Sequence, residues 1–447
     1  SKKAEREREN RASCRPPAGG SATMTFEMSS SICDPWNGVP QVIKVKKNSG
    51  GFQAVPGREF GNLGNFGPHL FRNISLTMAV AAFLIILPRN VLSDQGEGHI
   101  HVGRSPHALV LADVNKDEKL DIIVAASAGE QIGVLLGDGK GGISRAISIQ
   151  VGRGPGWVVM GDVDGNGTLD MVSAETGAGQ VTILYGDGNG LFPRRKILPV
   201  PAAVSLGLGD LNGDGRTDLV VSQAVPGKIL VFLAKSGGGF GEAHEYLLFR
   251  GLHILELADL NGDGKKDIAV GGLGQQQVSV LLNQGGGIFS KPRHYRPGRL
   301  PHYLAVRDFN RDGRMDIAVV LGGDDAVVLL NGDEKKGFVP GSRIKVGTNP
   351  HGIAVSDFNG DGFLDMAVGS RTSLDVWVSF GMGDGSFRPG GKFRVPDDVI
   401  ALRAGDMNGD GKADLVLAFA SIHRVGIYLG DGEGKFSPRD LSAKLDK

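Results

Sequence analysis

The chain has 447 residues, with Lys+Arg and Asp+Glu equal at 49 each. So even a balance leaves no global field to hold nucleic acid or an anionic lipid surface, and both partner classes are set aside. Gly contributes 71 residues, about twice the average share, whereas the two cysteines, Cys14 and Cys33, precede the patterned part of the chain, so disulfides do not hold that part together.

Residues 1–70 carry no sustained helical or strand periodicity. They open on a charged run, continue through Gly/Pro/Ser-rich text such as Arg15-Pro16-Pro17-Ala18-Gly19-Gly20, and read as a disordered or processing segment. Residues 71–97 differ: Arg72 precedes the apolar run 76–87, which ends at Pro88-Arg89. A basic residue followed by roughly 7–15 apolar residues is the pattern of a secretory signal core, and the run falls short of the about 20 residues of a membrane-spanning helix. The expectation is export, to a secreted or cell-surface location, with cleavage between Pro88 and His99, although no A-x-A-like site marks the cut. An uncleaved N-terminal anchor, the one route to a membrane, and a buried helix or strand are the other readings.

Residues 98–447 are slightly acidic: 12 Lys/Arg and 8 Asp/Glu precede them, leaving 37 against 41 (49 less 12 and 49 less 8). They also repeat. A nine-residue stretch, clearest as Asp357-Phe358-Asn359-Gly360-Asp361-Gly362-Phe363-Leu364-Asp365, begins at Asp113, Asp162, Asp210, Asp259, Asp308, Asp357 and Asp406, at spacings of 49, 48, 49, 49, 49 and 49. Such constancy means one structural unit per period. Within the sixth unit, 352–356 alternates into the stretch, 364–369 follows as a second strand, a turn leads to 374–378, and Gly383-Asp384-Gly385 turns toward a fourth strand near 392–395. Four short antiparallel strands per unit make a propeller blade. The predicted fold is all-β: a seven-bladed β-propeller of four-stranded antiparallel blades, preceded by a disordered or signal-like N-terminal extension. Calcium-binding β-helices have far shorter repeats, and an open solenoid is disfavoured because the end units resemble the middle ones. Residues 99–102 align with 148–151, the last strand of the first unit, and 441–445 hold the same place in the last. Either terminus would therefore serve as the outer strand of blade 7.

The chemistry lies in the repeated loops. Oxygen-bearing side chains stand at positions 1, 3, 5 and 9, with glycine usual at 4 and 6. The proposed ligands are Asp113, Asn115, Asp117 and Asp121 in blade 1; Asp162, Asp164, Asn166 and Asp170 in blade 2; Asp210, Asn212, Asp214 and Asp218 in blade 3. Blade 4 offers Asp259, Asn261, Asp263 and Asp267; blade 5 Asp308, Asn310, Asp312 and Asp316; blade 6 Asp357, Asn359, Asp361 and Asp365; blade 7 Asp406, Asn408, Asp410 and Asp414. A hard cation such as Ca²⁺ takes six to eight oxygen ligands, and a tight loop supplies them from alternate residues, position 7 adding its carbonyl. Three carboxylates held within a few ångströms repel unless a cation compensates them. The competing reading is that Asp and Asn only form Asx turns, which accounts for position 1 or 3 but not for all four. The sequon Asn166-Gly167-Thr168 is discounted because Asn166 is a proposed ligand.

The text D-x-[DN]-G-[DN]-G-x-x-D followed by an apolar strand, at blade-length spacing over all seven units, resembles the FG-GAP/VCBS repeat of integrin α-subunit propellers and many secreted bacterial proteins. The resemblance implies Ca²⁺ loops on one face, up to seven ions, and a propeller used for adhesion or ligand binding. This chain departs from the pattern at Lys116 and Glu118 in loop 1 and at Arg311 in loop 5, which replace glycines. A non-glycine residue forced to positive φ is penalised, so loop 1 is expected to bind most weakly.

Six residues before their loops stand His107, His253, His302 and His351, in blades 1, 4, 5 and 6. They open the innermost strands, at the end away from the loops. One reading is a histidine-lined site for a metal or an anion; the other is a repeat-encoded residue that packs or hydrogen-bonds between blades. Metal ligands must lie about 2 Å from one ion while packed sheets stand roughly 10 Å apart, so the second reading is the expectation. Glu256, Arg307 and Arg403 replace small residues on inner strands and are expected to line the channel in ion pairs. Trp157, Tyr303 and Trp377 are expected to pack between blades.

No G-x-S-x-G or H-E-x-x-H occurs, and Gly137-Asp138-Gly139-Lys140-Gly141-Gly142 is a hairpin turn without a following helix, not a nucleotide loop. The sequence therefore points to a monomeric, non-enzymatic scaffold that binds a protein or glycan on the face opposite the calcium loops. A polysaccharide lyase or hydrolase using the channel face, and a lectin, are the alternatives.

Overall fold

Each repeat folds into one antiparallel sheet, as its alternating apolar text and glycine turns require. The structure is a computed structural model that describes residues 45–48, 51–54 and 99–439. The chain divides into two units, Ser1–Leu87 and Pro88–Lys447. In the first, Val45–Asn48 pairs antiparallel with Gly51–Ala54, a short ladder where no strand was expected; the turn-forming text Ser49-Gly50 lies between the two. The signal-like segment 71–97 lies outside the described residues.

The second unit is the propeller. Blade 6 runs Pro350–Ser356, Asp365–Ser370, Asp375–Gly381 and Phe387–Arg394 from the axis outward. Its fourth strand starts directly after the Gly-Asp-Gly turn rather than near residue 392. Blades 1 to 5 repeat the plan, and neighbouring inner strands pack around a complete circle, blade 7 against blade 1 included. The second strand of every blade is buried along its whole length, for example Asp121-Ile-Ile-Val-Ala-Ala and Asp414-Leu-Val-Leu-Ala-Phe. Neighbouring sheets cover it on both faces, which explains near-continuous apolar text instead of alternation. Outer strands such as Arg194–Pro199 are exposed.

Both termini close the ring. His99–His101 pairs with Arg424, Val425 and Gly426, while Phe436–Pro438 pairs with Tyr428, Leu429 and Gly430 of the same third strand. Blade 7 is therefore five-stranded, its outer edge divided between the two ends of the propeller, and the choice between termini posed by the sequence is resolved in favour of both. Residues 441–445 lie outside the described residues. Buried Val102 and His99, the latter edge-on to Phe419 at 5.3 Å, seat the N-terminal strand.

One irregularity recurs. In all seven inner strands the ladder slips, between Pro106 and Ala108, Pro155 and Trp157, Ala203 and Ser205, Leu252 and Ile254, Pro301 and Tyr303, Pro350 and Gly352, and Val399 and Ala401. The skipped residues include His107, His253, His302 and His351. A bulge re-aims the residue it carries.

Candidate functional site

The repeated loops hold their four polar positions in one backbone frame. At position 1 the carboxylate accepts the amide of position 6 in every loop, at 2.7–2.9 Å. At position 5 the side-chain oxygen accepts the amide of position 7, at 2.7–3.1 Å. In six loops the position-3 amide oxygen accepts the amide of position 5, as Asn359 does from Asp361 at 2.9 Å. Position 9 is buried in all seven loops: Asp121, Asp170, Asp218, Asp267, Asp316, Asp365 and Asp414 are each 0 % exposed. Its Oδ2 accepts the amide of position 2 (Phe358 to Asp365, 2.9 Å), and its Oδ1 accepts an amide at or beside the end of the third strand (Gly381 to Asp365, 2.8 Å), the pair recurring in each blade. Asx-type bonding therefore reaches all four positions, further than the sequence suggested, and position 9 is a buried strut joining loop to third strand.

The cost is electrostatic. Burial first, and then the carboxylates at positions 1 and 5, push Asp121, Asp267 and Asp365 up to about 6, with two amide hydrogen bonds opposing. In loop 2, Asp162, Asp164 and Asp170 each place a carboxylate oxygen within 4.8 Å of the others, a spacing that ligands 2.3–2.6 Å from one Ca²⁺ can span. Elsewhere position 3 is Asn. Basic residues lean over several loops: Lys119 lies 3.1 Å from Asp117, Lys265 3.0 Å from Asp263, and Arg194 3.1 Å from Asp164. The donor set, all oxygen with three carboxylates and one amide among positions 1, 3, 5 and 9 of every loop, fits a hard divalent cation.

The departures from glycine take the glycine conformation nonetheless. Lys116, Glu118 and Arg311 have φ of 61°, 64° and 59°, a strain of roughly 1–2 kcal/mol per residue. Arg311 is compensated: its guanidinium lies 4.2 Å above the Phe363 ring and donates to the Gly362 carbonyl of the next loop. Loops are also tied across blades, since Gly141, Gly190 and Gly287 donate to the position-2 carbonyls of Met407, Val114 and Leu211.

At the other end of the inner strands, the bulges turn four histidines toward the axis. Ring centroids are 4.5 Å apart for His302 and His351, 5.9 Å for His253 and His302, 6.1 Å for His253 and His351, and 6.2 and 6.4 Å from His107 to His351 and His253. The expectation that they would not converge is thus corrected: the 10 Å sheet spacing does not hold where bulges aim into a channel. Bonding between blades is present as well, His107 Nδ1 donating to Gly156 O at 2.9 Å and His351 Nδ1 to Ile400 O at 2.8 Å. Burial holds all four below the usual imidazole range, His351 well below it, His253 down to about 3 and His302 to about 4; neighbouring histidines add to this at His253, His302 and His351, and Arg371 at His107 and His302, against the carbonyl hydrogen bonds of His107 and His351. Arg371 itself pairs with buried Asp398 at 3.1 Å; neither residue was singled out in the sequence, because nothing in the repeat marks them.

Further along the channel, Trp157 and Tyr303 pack between blades as expected, meeting across the axis at 5.8 Å from blades 2 and 5. Arg403 lies 5.2 Å from the Tyr303 ring centre and donates to its hydroxyl. A cavity of about 260 Å³ beside them is lined by Met160, Glu256 and Arg403 among others. Burial raises Glu256, against the pull of Arg403 and Arg307, and among the described residues no ion pair within 4.0 Å joins Glu256 to either. The expected channel ion pairs are absent there because both arginines turn to backbone carbonyls, Arg403 to Leu402 O and Arg307 to Val306 O. Trp377 lies on a third strand under Lys392, 4.8 Å away.

Comparison with known proteins follows the same lines. FG-GAP-like repeats are recognised at residues 113–173, 162–221, 259–319, 308–368 and 357–417. No curated protein sequence matches the chain. Among solved structures, BBS1N in complex with ARL6DN superposes with a TM-score of 0.55 at 13 % identity, covering 76 % of this chain and 97 % of that one. A protein from Lactobacillus plantarum superposes with 0.54 at 15 % identity, covering 77 % and 95 %. At such identities the likeness is one of fold.

Proposed function

The chain belongs to the FG-GAP-like repeat family, and from that premise we propose that it is a calcium-stabilised, non-enzymatic scaffold that works outside the cell and binds protein or glycan partners. The observation that carries the calcium reading is the gathering of oxygen donors in one frame seven times, with a carboxylate at position 9 raised first by burial and then by its acidic neighbours. A cation at positions 1, 3, 5 and 9 removes that repulsion; position 7 adds a carbonyl. Loop 1 is the weakest site, since Lys116 and Glu118 hold strained backbone. Ions there brace the loops on which the next blade's turn rests and leave the opposite face free for a partner. The BBS1N propeller, solved in complex with ARL6DN, shares the fold and supports use of such a ring as a platform for another protein.

The reading is tested by applying the full chain, with Ca²⁺ present, to a glycan array and to an array of extracellular protein domains. Binding to one class that is lost on calcium removal supports it. Turnover of a polysaccharide with no retained partner would replace it with the enzyme reading.

A further inference from the structure

We propose that the histidine end of the channel is a metal site, in which His253, His302 and His351 ligate one divalent transition-metal ion of the zinc class. The ion, the ligands and their place in the fold are independent of the calcium loops: hard cations select oxygen donors, while imidazole suits zinc, copper and nickel.

Three observations converge. His253, His302 and His351 each place a ring nitrogen within 4.8 Å of the other two. A tetrahedral ion with nitrogens 2.0–2.1 Å away separates them by about 3.3 Å, so binding draws the rings inward by roughly an ångström, and their centroid spacings of 4.5, 5.9 and 6.1 Å bracket the about 5 Å of a closed site. The second observation concerns what lies behind a ligand. His351 gives its Nδ1–H to Ile400 O at 2.8 Å, which leaves Nε2 with a free lone pair. A metal-bound imidazole ordinarily donates its other nitrogen to a carbonyl or carboxylate, and this contact supplies that support. His107, bonded in the same way to Gly156 O at 2.9 Å, stands further out and flanks the three.

The third observation is an unused atom. His302 Nδ1 is buried and has no hydrogen-bond partner. The opposite edge of the ring is packed on Gly322, where an added Cβ would lie 2.2 Å from His302 Cδ2 and 2.5 Å from Nε2. Nδ1 is therefore the nitrogen left to bind. An orphaned buried acceptor costs about 1–3 kcal/mol, and a metal ion removes that cost. The nearby cation, Arg371, is held by Asp398 at 3.1 Å, which offsets its repulsion of a second positive charge. His253 and His302 are both partly exposed, so the cluster reaches solvent although His302 Nδ1 itself is buried. Three histidine ligands and an open fourth position are the arrangement of a reactive site more than of a closed structural one.

The test uses the full chain, stripped of metal, returned to saturating Ca²⁺ and titrated with Co²⁺ and then Zn²⁺ alone. The proposal predicts one Co²⁺ per chain with the visible d–d absorption of a low-coordinate nitrogen site, its displacement by Zn²⁺, and three imidazole nitrogens by zinc X-ray absorption. His253→Gln and His302→Gln abolish the cobalt spectrum, and Gly322→Ala weakens zinc binding by about 10–100-fold, the range for losing a ligand's support, with all three histidines still present. Calcium content unchanged in these variants shows that they fold. A wild-type chain that takes up neither ion in calcium buffer overturns the proposal. So does binding that survives His302→Gln, which would place the metal on the acidic loops or on outlying histidines. Should the variants not fold, the wild-type X-ray absorption decides, and fewer than two imidazoles overturns the assignment.

Discussion

The two ends of the inner strands follow opposite rules. At the loop end, position 9 is a buried aspartate with the same two amide partners in all seven blades. At the other end the bulge residue is His in blades 1, 4, 5 and 6 but Gly156, Val204 and Ile400 in the rest. The loop end repeats because each blade needs the same strut to hold loop to third strand. The histidine end breaks symmetry, and the metal site proposed there, on a seven-fold axis, needs only some blades to contribute. Regularity marks what builds the ring, and the proposed metal site lies where that regularity breaks.

Removing calcium is the largest expected perturbation of this contrast. At a free concentration 100-fold above Kd, each occupied loop adds about 2.7 kcal/mol, against a typical total stability of 5–15 kcal/mol. Melting the full chain in EDTA should therefore lower Tm more than any single substitution below. Ca²⁺ should restore it and Zn²⁺ alone should not; recovery with Zn²⁺ alone would assign the bracing to the wrong end.

The next effect separates strut from ligand. In calcium-free buffer Asp365→Ala should cost about 3 kcal/mol, because it leaves the amides of Phe358 and Gly381 buried without acceptors. Asp361→Ala, exposed at position 5, should cost under about 1 kcal/mol there. With Ca²⁺ present both should weaken ion binding. Equal losses for the two variants without calcium would show that position 9 is no strut.

At the histidine end the expected effect depends on pH. His253 falls from the ordinary 6.5 to about 3 on folding. As pH drops below 6.5 the unfolded chain takes up a proton that the native chain refuses, so stability present above 6.5 is lost progressively toward 3. In zinc-free, calcium-containing buffer, denaturant unfolding should show the wild type losing up to about 1.4 kcal/mol per pH unit relative to His253→Gln over that window. Parallel pH profiles would mean that His253 is not buried in the channel.

The smallest effect lies in loop 1. Glu118→Gly should stabilise the chain by about 1 kcal/mol by relieving a left-handed backbone at φ 64°. Arg311→Gly should be nearly neutral, because the relief is offset by the lost contact with Phe363 and Gly362. Chemical denaturation distinguishes the two.

Much of the ring was legible because its information is periodic. The 49-residue spacing, the Gly-Asp-Gly turns and the apolar run after each position 9 specify blades, loops and the buried second strand. Three features were not legible. Closure by both termini together depends on the half-strand Phe436–Pro438, too short to announce itself, joining the one at His99–His101 that the alignment of 99–102 marks. The convergence of His253, His302 and His351 depends on a bulge one residue wide, which alternation does not show. The strut role of Asp365 and its equivalents depends on amides at or just past the end of the third strand, sixteen residues on (Gly381 for Asp365), a separation that reading the loop by itself does not reach.

Calcium stoichiometry is the most direct measurement of the ring's bracing. Atomic absorption on the full chain, after gel filtration in calcium buffer and a rinse with metal-free buffer, should find close to seven ions per chain, with the loop 1 ion the first lost on dilution. A chain that carries no calcium, and melts at the same temperature with and without EDTA, would contradict it.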